Sequence, residues 1–532
     1  MSNVQATFAA TLVDEWARCG VEFAIVAPGS RSTPLALALW GSDAIDVSIH
    51  HDERAAAYLA LGIGKATGVP AIVLCTSGTA AAELHPAIVE AHQARVPMLV
   101  CTADRPPELQ AVGAPQTIDQ THLYGRAVRW FAEPGVADDA TRGTWRSLAA
   151  RAFVEAVGSP PGPVHLNLAF RDPLVVAAGE LPPGRSSGNM WHALSKSDRS
   201  RHQIEQGSGR GLVVAGAGVP AGFDPNGWPV LADPLSGLRG PGAIGAFDSL
   251  LRTGAMPTPE VVVRVGDPPA SKVLAQWLAA LDVPQYAFGT GWADPDRTAH
   301  AVADAVPVLP PADPAWTATW QRGEALAQRA IDGVLSAREQ LTEPLVARIV
   351  AARASTLMVS SSMPVRDVEW YALPRDGLQV LANRGANGID GVVSTAVGIA
   401  LGTDQPVTAL VGDVAFLHDT NALLGVASRD IELTIVVIDN RGGGIFSFLP
   451  QATDVDADAF EALFGTPHDV DLAALAFAHG VSTTTVHAGD ELERAIDAAS
   501  GVHVIVAPTD RHANVVVHDE LHRAVAAALA SS

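Results

Sequence analysis

Short runs, most of them continuous and apolar, recur along the chain, many closing on glycine, a small polar residue or an acid. Over the first ~180 residues they read FAIVAPGS, DVSIHH, AIVLCTSG, VPMLVCTAD and GPVHLNL. Unbroken runs of this length predict strands buried on both faces rather than half-exposed ones. Between them, residues 54–67 and 79–94 repeat small and apolar side chains at helical spacing. Strand alternating with helix predicts a parallel, doubly wound sheet. Residues 173–210 are rich in Pro, Gly, Ser and charge and read as a linker. A smaller α/β stretch follows from about 211 to 330, with GLVVAGAG, EVVVRVG and PQYAFG as strands. From about 340 the larger pattern restarts with TLMVSSS, LQVLANRG, VTALVGD, LTIVVIDN and VHVIVAP. The pattern predicts three α/β domains in series, each with a doubly wound parallel sheet. Their expected bounds are 1–180, 190–335 and 340–532, the first and third of similar size.

Length and composition agree. A chain of 532 residues suggests roughly three domains of about 150 residues each. Its 48% hydrophobic but only 5% aromatic content suits sheets covered by helices on both faces. The net charge of −22 argues against nucleic acid or an anionic membrane as a general partner. An anionic substrate must then be drawn by a local basic pocket. Cys19, Cys75 and Cys101 have no ligand spacing, and their odd number suits a reducing cytosol. Cys75 and Cys101 lie in apolar runs and read as core thiols. No basic-then-apolar leader opens the chain, and no uncharged run reaches ~18 residues. A soluble, cytoplasmic protein is expected.

The most informative stretch runs from Val407 to Phe448. Gly412-Asp413 ends the run VTALV, and Asp439-Asn440, followed by Arg441 and three glycines, ends LTIVVI. Asp413 and Asn440 lie 27 positions apart, room for a helix and the next strand of one βαβ unit. Parallel strands present their carboxyl ends on one edge, where α/β proteins hold ligands. A carboxylate and a carboxamide therefore meet beside a loop of backbone carbonyls. This hard-oxygen set suits Mg²⁺ shared with phosphate, with Asp413 and Asn440 as side-chain ligands and Gly442 as a carbonyl ligand. Gly442, Gly443 and Gly444 let backbone approach a diphosphate closely. Taken singly, GD and DN are ordinary turn punctuation after strands. Their joint spacing on consecutive strands, with GGGIF behind, is what points to a site.

This arrangement resembles the thiamine-diphosphate-binding motif, a GDG followed after a helix and a strand by NN. Here Val414 replaces the last Gly and Asp439 the first Asn. The order of domains likewise resembles thiamine-diphosphate enzymes of the decarboxylase type. In those a pyrimidine-binding domain, a Rossmann-like middle domain and a diphosphate-binding domain follow one another. Such an enzyme needs a carboxylate against the pyrimidine N1′, buried so that its pKa is raised. Glu53 qualifies, following VSIHH and opening the helical stretch RAAAYLALGIGKATG. A Glu in a helix's first turn is otherwise a capping or dipole partner.

Longer segments narrow the resemblance. APGSRSTPL, HHDERAAAYLALG, TSGTAAAELHPAIVEA, TADRPPEL, GAPQTIDQ, SSSMPVRD, NRGANGIDG, GDVAFLHD, DNRGGGIF and FGTPHDVD occur in this order. Together they resemble the MenD family, the 2-succinyl-5-enolpyruvyl-6-hydroxy-3-cyclohexene-1-carboxylate (SEPHCHC) synthases of menaquinone biosynthesis. The likeness covers the first and third domains and is weak in the middle one. It implies a transferase that decarboxylates 2-oxoglutarate with thiamine diphosphate and Mg²⁺ (or Mn²⁺). The resulting succinyl-semialdehyde carbanion then adds in a 1,4 sense to isochorismate.

Both substrates are dicarboxylates, which favours arginine for its bidentate fork. By resemblance, Ser362 and Arg366 face the succinyl carboxylate, while Arg31, Gln116 and Lys272 face isochorismate. Ser30, Arg105 and Arg384 also belong to the substrate pocket. Ile389 props the cofactor into its bent form, and Val414, Gly443, Ile445 and Phe446 complete its surroundings. One departure is Pro115, where the family pattern has Asn. Proline fixes φ and removes a donor, which bears on the neighbouring Gln116. The resemblance also implies a homodimer with shared active sites, Glu53 coming from one subunit and the metal from another, and a homotetramer beyond it.

Two other readings stay open. GLVVAGAGVPAG places Gly216, Gly218 and Gly222 after a strand, a pattern that can mark a dinucleotide site; Pro220 interrupts it and no acidic partner follows at ~20 residues. Alternatively the chain keeps thiamine but uses small acyl groups, as another 2-oxo acid decarboxylase or an acetolactate-synthase-like carboligase. Such substrates do not require Arg31, Lys272, Arg366 and Arg384 together.

Overall fold

The computed structural model describes residues 4–192, 200–204 and 209–531. Parts of the expected linker, 193–199 and 205–208, lie outside the described residues. The first sheet contains β1 (Phe23–Val26), β2 (Asp46–Ile49), β3 (Ala71–Cys75), β4 (Met98–Asp104), β5 (Trp130–Ala132) and β6 (Pro163–Ala169). Its order is β2-β1-β3-β4-β6-β5. The linker supplies β7 (Ser200–Gln203). A second sheet holds β8 (Gly211–Ala215), β9 (Val230–Ala232), β10 (Val261–Val265), β11 (Gln285–Phe288) and β12 (Ala301–Ala303), ordered β12-β11-β10-β8-β9. β13 (Ala305–Val308) pairs with β7 instead. The last sheet holds β14 (Thr356–Val359), β15 (Gln379–Ala382), β16 (Val407–Gly412), β17 (Leu433–Asp439), β18 (Ser482–Thr485) and β19 (Val502–Pro508). Its order, β15-β14-β16-β17-β19-β18, repeats that of the first sheet strand for strand. Every pairing between these strands is parallel. The α/β class and its parallel sheets are as the hydrophobic pattern predicts.

The chain divides into two compact units. The first comprises 1–196 with 383–405 and 418–431; the second comprises 197–382, 406–417 and 432–532. In the first unit, helices Val4–Arg18 and Trp145–Val157 bury Leu12 and Trp16 with Leu74, Leu99, Leu166 and Phe170 of the sheet and its edge. Cys75 and Cys101 are fully buried in β3 and β4, where burial raises both thiols well above their ordinary pKa. The helical stretch 79–94 splits into Thr79–Glu83 and His85–Gln93, because Pro86 has no N–H to continue the ladder.

Also in this unit, helices Glu53–Thr67 and Val392–Leu401 meet glycine to glycine. A Cβ on Gly62 would lie 2.2 Å from the Thr395 carbonyl oxygen, and one on Gly398 would lie 2.0 Å from that of Leu59. Both obstacles are backbone, so the helices must separate to admit a methyl group. Gly62→Ala is therefore expected to destabilise the chain by about 1–3 kcal/mol or more. Gly333, in helix Pro314–Ser336, has nothing within 4 Å of its added Cβ. Gly333→Ala should instead stabilise by about 0.5–1 kcal/mol. Urea unfolding midpoints of the two variants should move in opposite directions.

In the second unit, β14, β16, β17 and β19 bury Leu357, Leu410, Val436 and Ile505 against helix Glu343–Arg353. The turn after β8 is too crowded for a dinucleotide cradle: a Cβ on Gly216 would lie 1.7 Å from the Asp267 carbonyl oxygen. Residues 216–229 form turns, without the helix that would receive a pyrophosphate. The crossover from β16 to β17 also differs from the single helix expected. It consists of helix Asp413–His418 and 3₁₀ turns Thr420–Leu423 and Val426–Ser428. Asp419 breaks it by turning back to accept hydrogen bonds from the Ser394 N–H (2.6 Å) and hydroxyl (2.9 Å). Gly425, at φ 68°, turns it again. Among the described residues no helix is long and apolar enough to cross a membrane.

Candidate functional site

In both six-stranded sheets the strand order reverses beside the first strand, between β1 and β3 and between β14 and β16. The helices leaving those strands cross to opposite faces, which opens a crevice at the carboxyl ends. Several of the residues singled out above follow strands of these two sheets, whereas Lys272 opens a helix beside the five-stranded sheet.

In the second unit, Gly412 pairs in register with Ile438, so Asp413 and Asp439 leave their strands side by side. Asp413 is 2% exposed. Its carboxylate accepts the N–H of Val414 at 2.6 Å and of Gly442 at 3.0 Å. Burial pushes its pKa above the ordinary value, while these two N–H groups and His468 act in the opposite direction. His468 Nε2 lies 3.4 Å from Asp413 Oδ2. Ligand atoms of Asp413, Asp439 and His468 all fall within 4.8 Å of one another. Asn440 donates its Nδ2–H to Glu343 Oε1 at 2.8 Å, leaving Asn440 Oδ1 buried and without a donor among the described residues. An orphaned acceptor beside a buried carboxylate is a donor set that a hard cation completes.

The glycine loop behind it is sterically closed. A Cβ on Gly442, whose φ is 150°, would sit 2.1 Å from the Gly465 carbonyl oxygen, and one on Gly443 would sit 2.3 Å from that of Phe464. Gly443 N–H donates to Gly465 at 2.8 Å, and Arg511 braces the same carbonyl from Nη1 at 3.0 Å. The Gly442 carbonyl accepts the Gly444 N–H at 2.9 Å, which leaves one lone pair for a ligand. Ile445 and Phe446 follow in the turn Gly444–Phe448, half-buried, with the Phe446 ring 5.5 Å from that of Phe464. After β14, Ser362 takes φ 73°, unusual for a residue with a side chain. Its carbonyl accepts Arg366 Nη1 at 2.5 Å, so these two residues form one structural element. Lys272 is exposed at the start of helix Lys272–Ala280, with no partner among the described residues.

In the first unit, Ser77 organises the crevice. Its hydroxyl accepts Arg105 Nη1 at 2.8 Å and donates to the Gln116 carbonyl at 2.9 Å. Gln116 Nε2 returns a bond to the Ser77 carbonyl at 3.1 Å. Arg105 Nη2 reaches the Pro115 carbonyl at 3.3 Å. Pro115 thus still serves the site through its oxygen, and Gln116 adopts φ 55° beside it. Arg31 donates Nη1 to the Phe170 carbonyl at 2.9 Å and lies 3.6 Å from Asp172 Oδ2, while its buried Nε has no partner among the described residues. Burial and the Arg31 charge both lower the pKa of Arg105. Ser30 is exposed on the Arg31 loop.

Glu53 opens helix Glu53–Thr67 and is half-buried, not buried as anticipated. A first-turn position at the surface of the single chain explains this. Asp52 performs the capping, its Oδ1 accepting the Ala55 N–H at 3.0 Å. No described residue hydrogen-bonds the Glu53 carboxylate, and its charge reaches Cys75 at the end of β3. Arg384 and Ile389 are half-buried in a loop that belongs to this unit. Glu90 accepts the N–H groups of Gly385 (2.9 Å) and Ala386 (2.6 Å), and Tyr58 donates to Asp390 at 2.5 Å.

Three neighbours of the site escaped the sequence reading: His468, Glu343 and Ser77. His468 stands in the singled-out FGTPHDVD segment, and Ser77 in TSGT. Glu343 has no local signal, being one of several acids at helix N-termini.

Residues 6–123 match the family described as "Thiamine pyrophosphate enzyme, N-terminal TPP binding domain". Residues 370–507 match "Thiamine pyrophosphate enzyme, C-terminal TPP binding domain". Over its whole length the chain is similar to proteins named 2-succinyl-5-enolpyruvyl-6-hydroxy-3-cyclohexene-1-carboxylate synthase. It is 43% identical to that of Thermobifida fusca, over 99% of this chain and 100% of the relative. With that of Chloroflexus aurantiacus the identity is 40%, over 98% and 97% of the two chains. With that of Geobacillus kaustophilus it is 39%, over 100% and 99%.

Proposed function

This chain belongs to the SEPHCHC synthase family of thiamine pyrophosphate enzymes, and from that premise we propose the following division of labour. The protein is a transferase of menaquinone biosynthesis that decarboxylates 2-oxoglutarate and joins the succinyl-semialdehyde unit to isochorismate, giving SEPHCHC and CO₂. Bound thiamine diphosphate supplies the electron sink for decarboxylation and the nucleophilic carbon for the 1,4-addition. Everything else falls to the chain.

Residues 1–180 form the pyrimidine-binding domain, 190–335 the middle domain and 340–532 the diphosphate-binding domain. Asp413, Asn440 and the Gly442 carbonyl hold Mg²⁺ (or Mn²⁺), with His468 as the outer partner beside Asp413. Gly443 lies beside the diphosphate, and Val414, Ile389, Ile445 and Phe446 pack around the cofactor. Glu53 holds a proton at the pyrimidine N1′. Ser362 and Arg366 take the distal carboxylate of 2-oxoglutarate. Arg31, Gln116 and Lys272 take isochorismate, with Ser30, Arg105 and Arg384 lining the same pocket.

Glu53 of one subunit serves the metal of another, so the minimal assembly is a homodimer and the family's homotetramer its extension. The three buried thiols suit a cytoplasmic setting.

The observation that carries this reading is the donor set itself: a buried Asp413 beside an orphaned Asn440 oxygen, at the carboxyl edge of a doubly wound sheet. The arginines favour dicarboxylates over pyruvate. Incubation with thiamine diphosphate, Mg²⁺ and 2-oxoglutarate, with and without isochorismate, is expected to yield the SEPHCHC mass only when both substrates are present. Arg366→Leu should raise the KM for 2-oxoglutarate about 10- to 100-fold, the worth of a charge-assisted bond. A strong preference for pyruvate would instead place the chain with acetolactate-synthase-like carboligases.

A further inference from the structure

Asn440 can serve a cation only through its oxygen. A carboxamide is nearly symmetric in shape, so packing alone does not choose which end faces a ligand; its hydrogen bonds do. The bond that chooses here comes from outside the glycine loop. Glu343 is 1% exposed at the start of helix Glu343–Arg353, and its Oε1 accepts Asn440 Nδ2–H at 2.8 Å. Thr342 caps that helix, its hydroxyl accepting the Leu345 N–H at 3.3 Å, so Glu343 is not needed for capping. The Asn440 Oδ1 left over is buried and unbonded among the described residues.

We propose that Glu343 is a positioning residue: by engaging Asn440 Nδ2 it presents Asn440 Oδ1, and not the amide nitrogen, to the metal that carries the diphosphate. The inference rests on reading Asn440 as a metal ligand. Outer partners of metal ligands are worth about 10- to 100-fold in affinity. Glu343 belongs to that class, although it precedes Asn440 by nearly a hundred residues and lies on a helix outside the motif.

The test separates reach from charge. Glu343→Asp keeps the carboxylate and withdraws it from Asn440 by one methylene. Glu343→Gln keeps an acceptor at the right reach and removes the charge. Mn²⁺ binding in the presence of thiamine diphosphate is read from the electron paramagnetic resonance of free Mn²⁺, with circular dichroism confirming the fold. Glu343→Asp should weaken Mn²⁺ about tenfold or more, and Glu343→Gln should bind within a few-fold of the wild type. Loss in Glu343→Gln with wild-type binding by Glu343→Asp would show that charge and not reach matters and would overturn the positioning role. Equal loss in both variants would overturn it by showing that an acceptor at the right reach is not enough. Asn440→Ala distinguishes the premise: if it binds Mn²⁺ normally, Asn440 is not a ligand and both readings fall. If Asn440→Ala loses Mn²⁺ while Glu343→Asp retains it, only the role of Glu343 falls.

Discussion

Asp413→Ala should lose metal-dependent binding of thiamine diphosphate. The carboxylate at the carboxyl edge of β16 is almost wholly buried, and two backbone N–H groups fix its direction. Alanine removes the charge and leaves only a neutral carbonyl and a carboxamide for a divalent ion. Because outer partners alone contribute about 10- to 100-fold, removal of this ligand should cost more than about 100-fold in affinity. Isothermal titration with the cofactor, with Mg²⁺ or EDTA present, measures it. The wild type should discriminate strongly between the two conditions and the variant should not. The fold should survive, since burial already disfavours the Asp413 charge in the metal-free chain.

Glu53→Gln should have the opposite signature. Cofactor and metal affinity stay within a few-fold of the wild type, because the residue lies on a different sheet edge from the metal loop. Exchange of the cofactor's C2 proton for deuterium should slow by about 10²- to 10⁴-fold, the usual contribution of a positioned acid–base group. Quenched-flow NMR of the bound cofactor reads the rate directly. Helix capping cannot account for such a loss, because Asp52 already holds the Ala55 N–H. A variant that merely unfolded the helix start would lose stability and binding together.

How much of this was legible follows from the kind of signal each residue carries. The runs VTALV and LTIVVI are apolar apart from one threonine each because β16 and β17 are covered on both faces, so the two strands and their ends could be read together. The repeat of one strand order in two sheets was legible only as a likeness in size, since order depends on which strands pair. β18, with the sequence STTT, is short, polar and half-exposed at the sheet's edge, and no hydrophobic pattern marks it. β5, WFA, is too short for periodicity.

The crossover 413–431 looked helical, but Asp419 is held by Ser394, a contact 25 residues away in sequence. Ser77 and Glu343 were hidden for the same reason. Their roles lie in a bond to Arg105 and to Asn440, at separations of 28 and 97 residues, where local spacing says nothing. Glu53 was singled out by what such a cofactor requires, yet it is half-buried in the chain where full burial was expected.

Subunit mixing tests the central claim, that one site draws Glu53 from one subunit and Asp413 from another. Glu53→Gln and Asp413→Ala are each expected to be nearly inactive alone. Unfolded together and refolded as a random mixture, they should form hybrid dimers in which one site carries both lesions and the other carries none. Activity should then return to as much as about a quarter of wild type. A mixture that forms hybrids by native mass spectrometry, yet stays as inactive as either variant alone, would contradict the shared site.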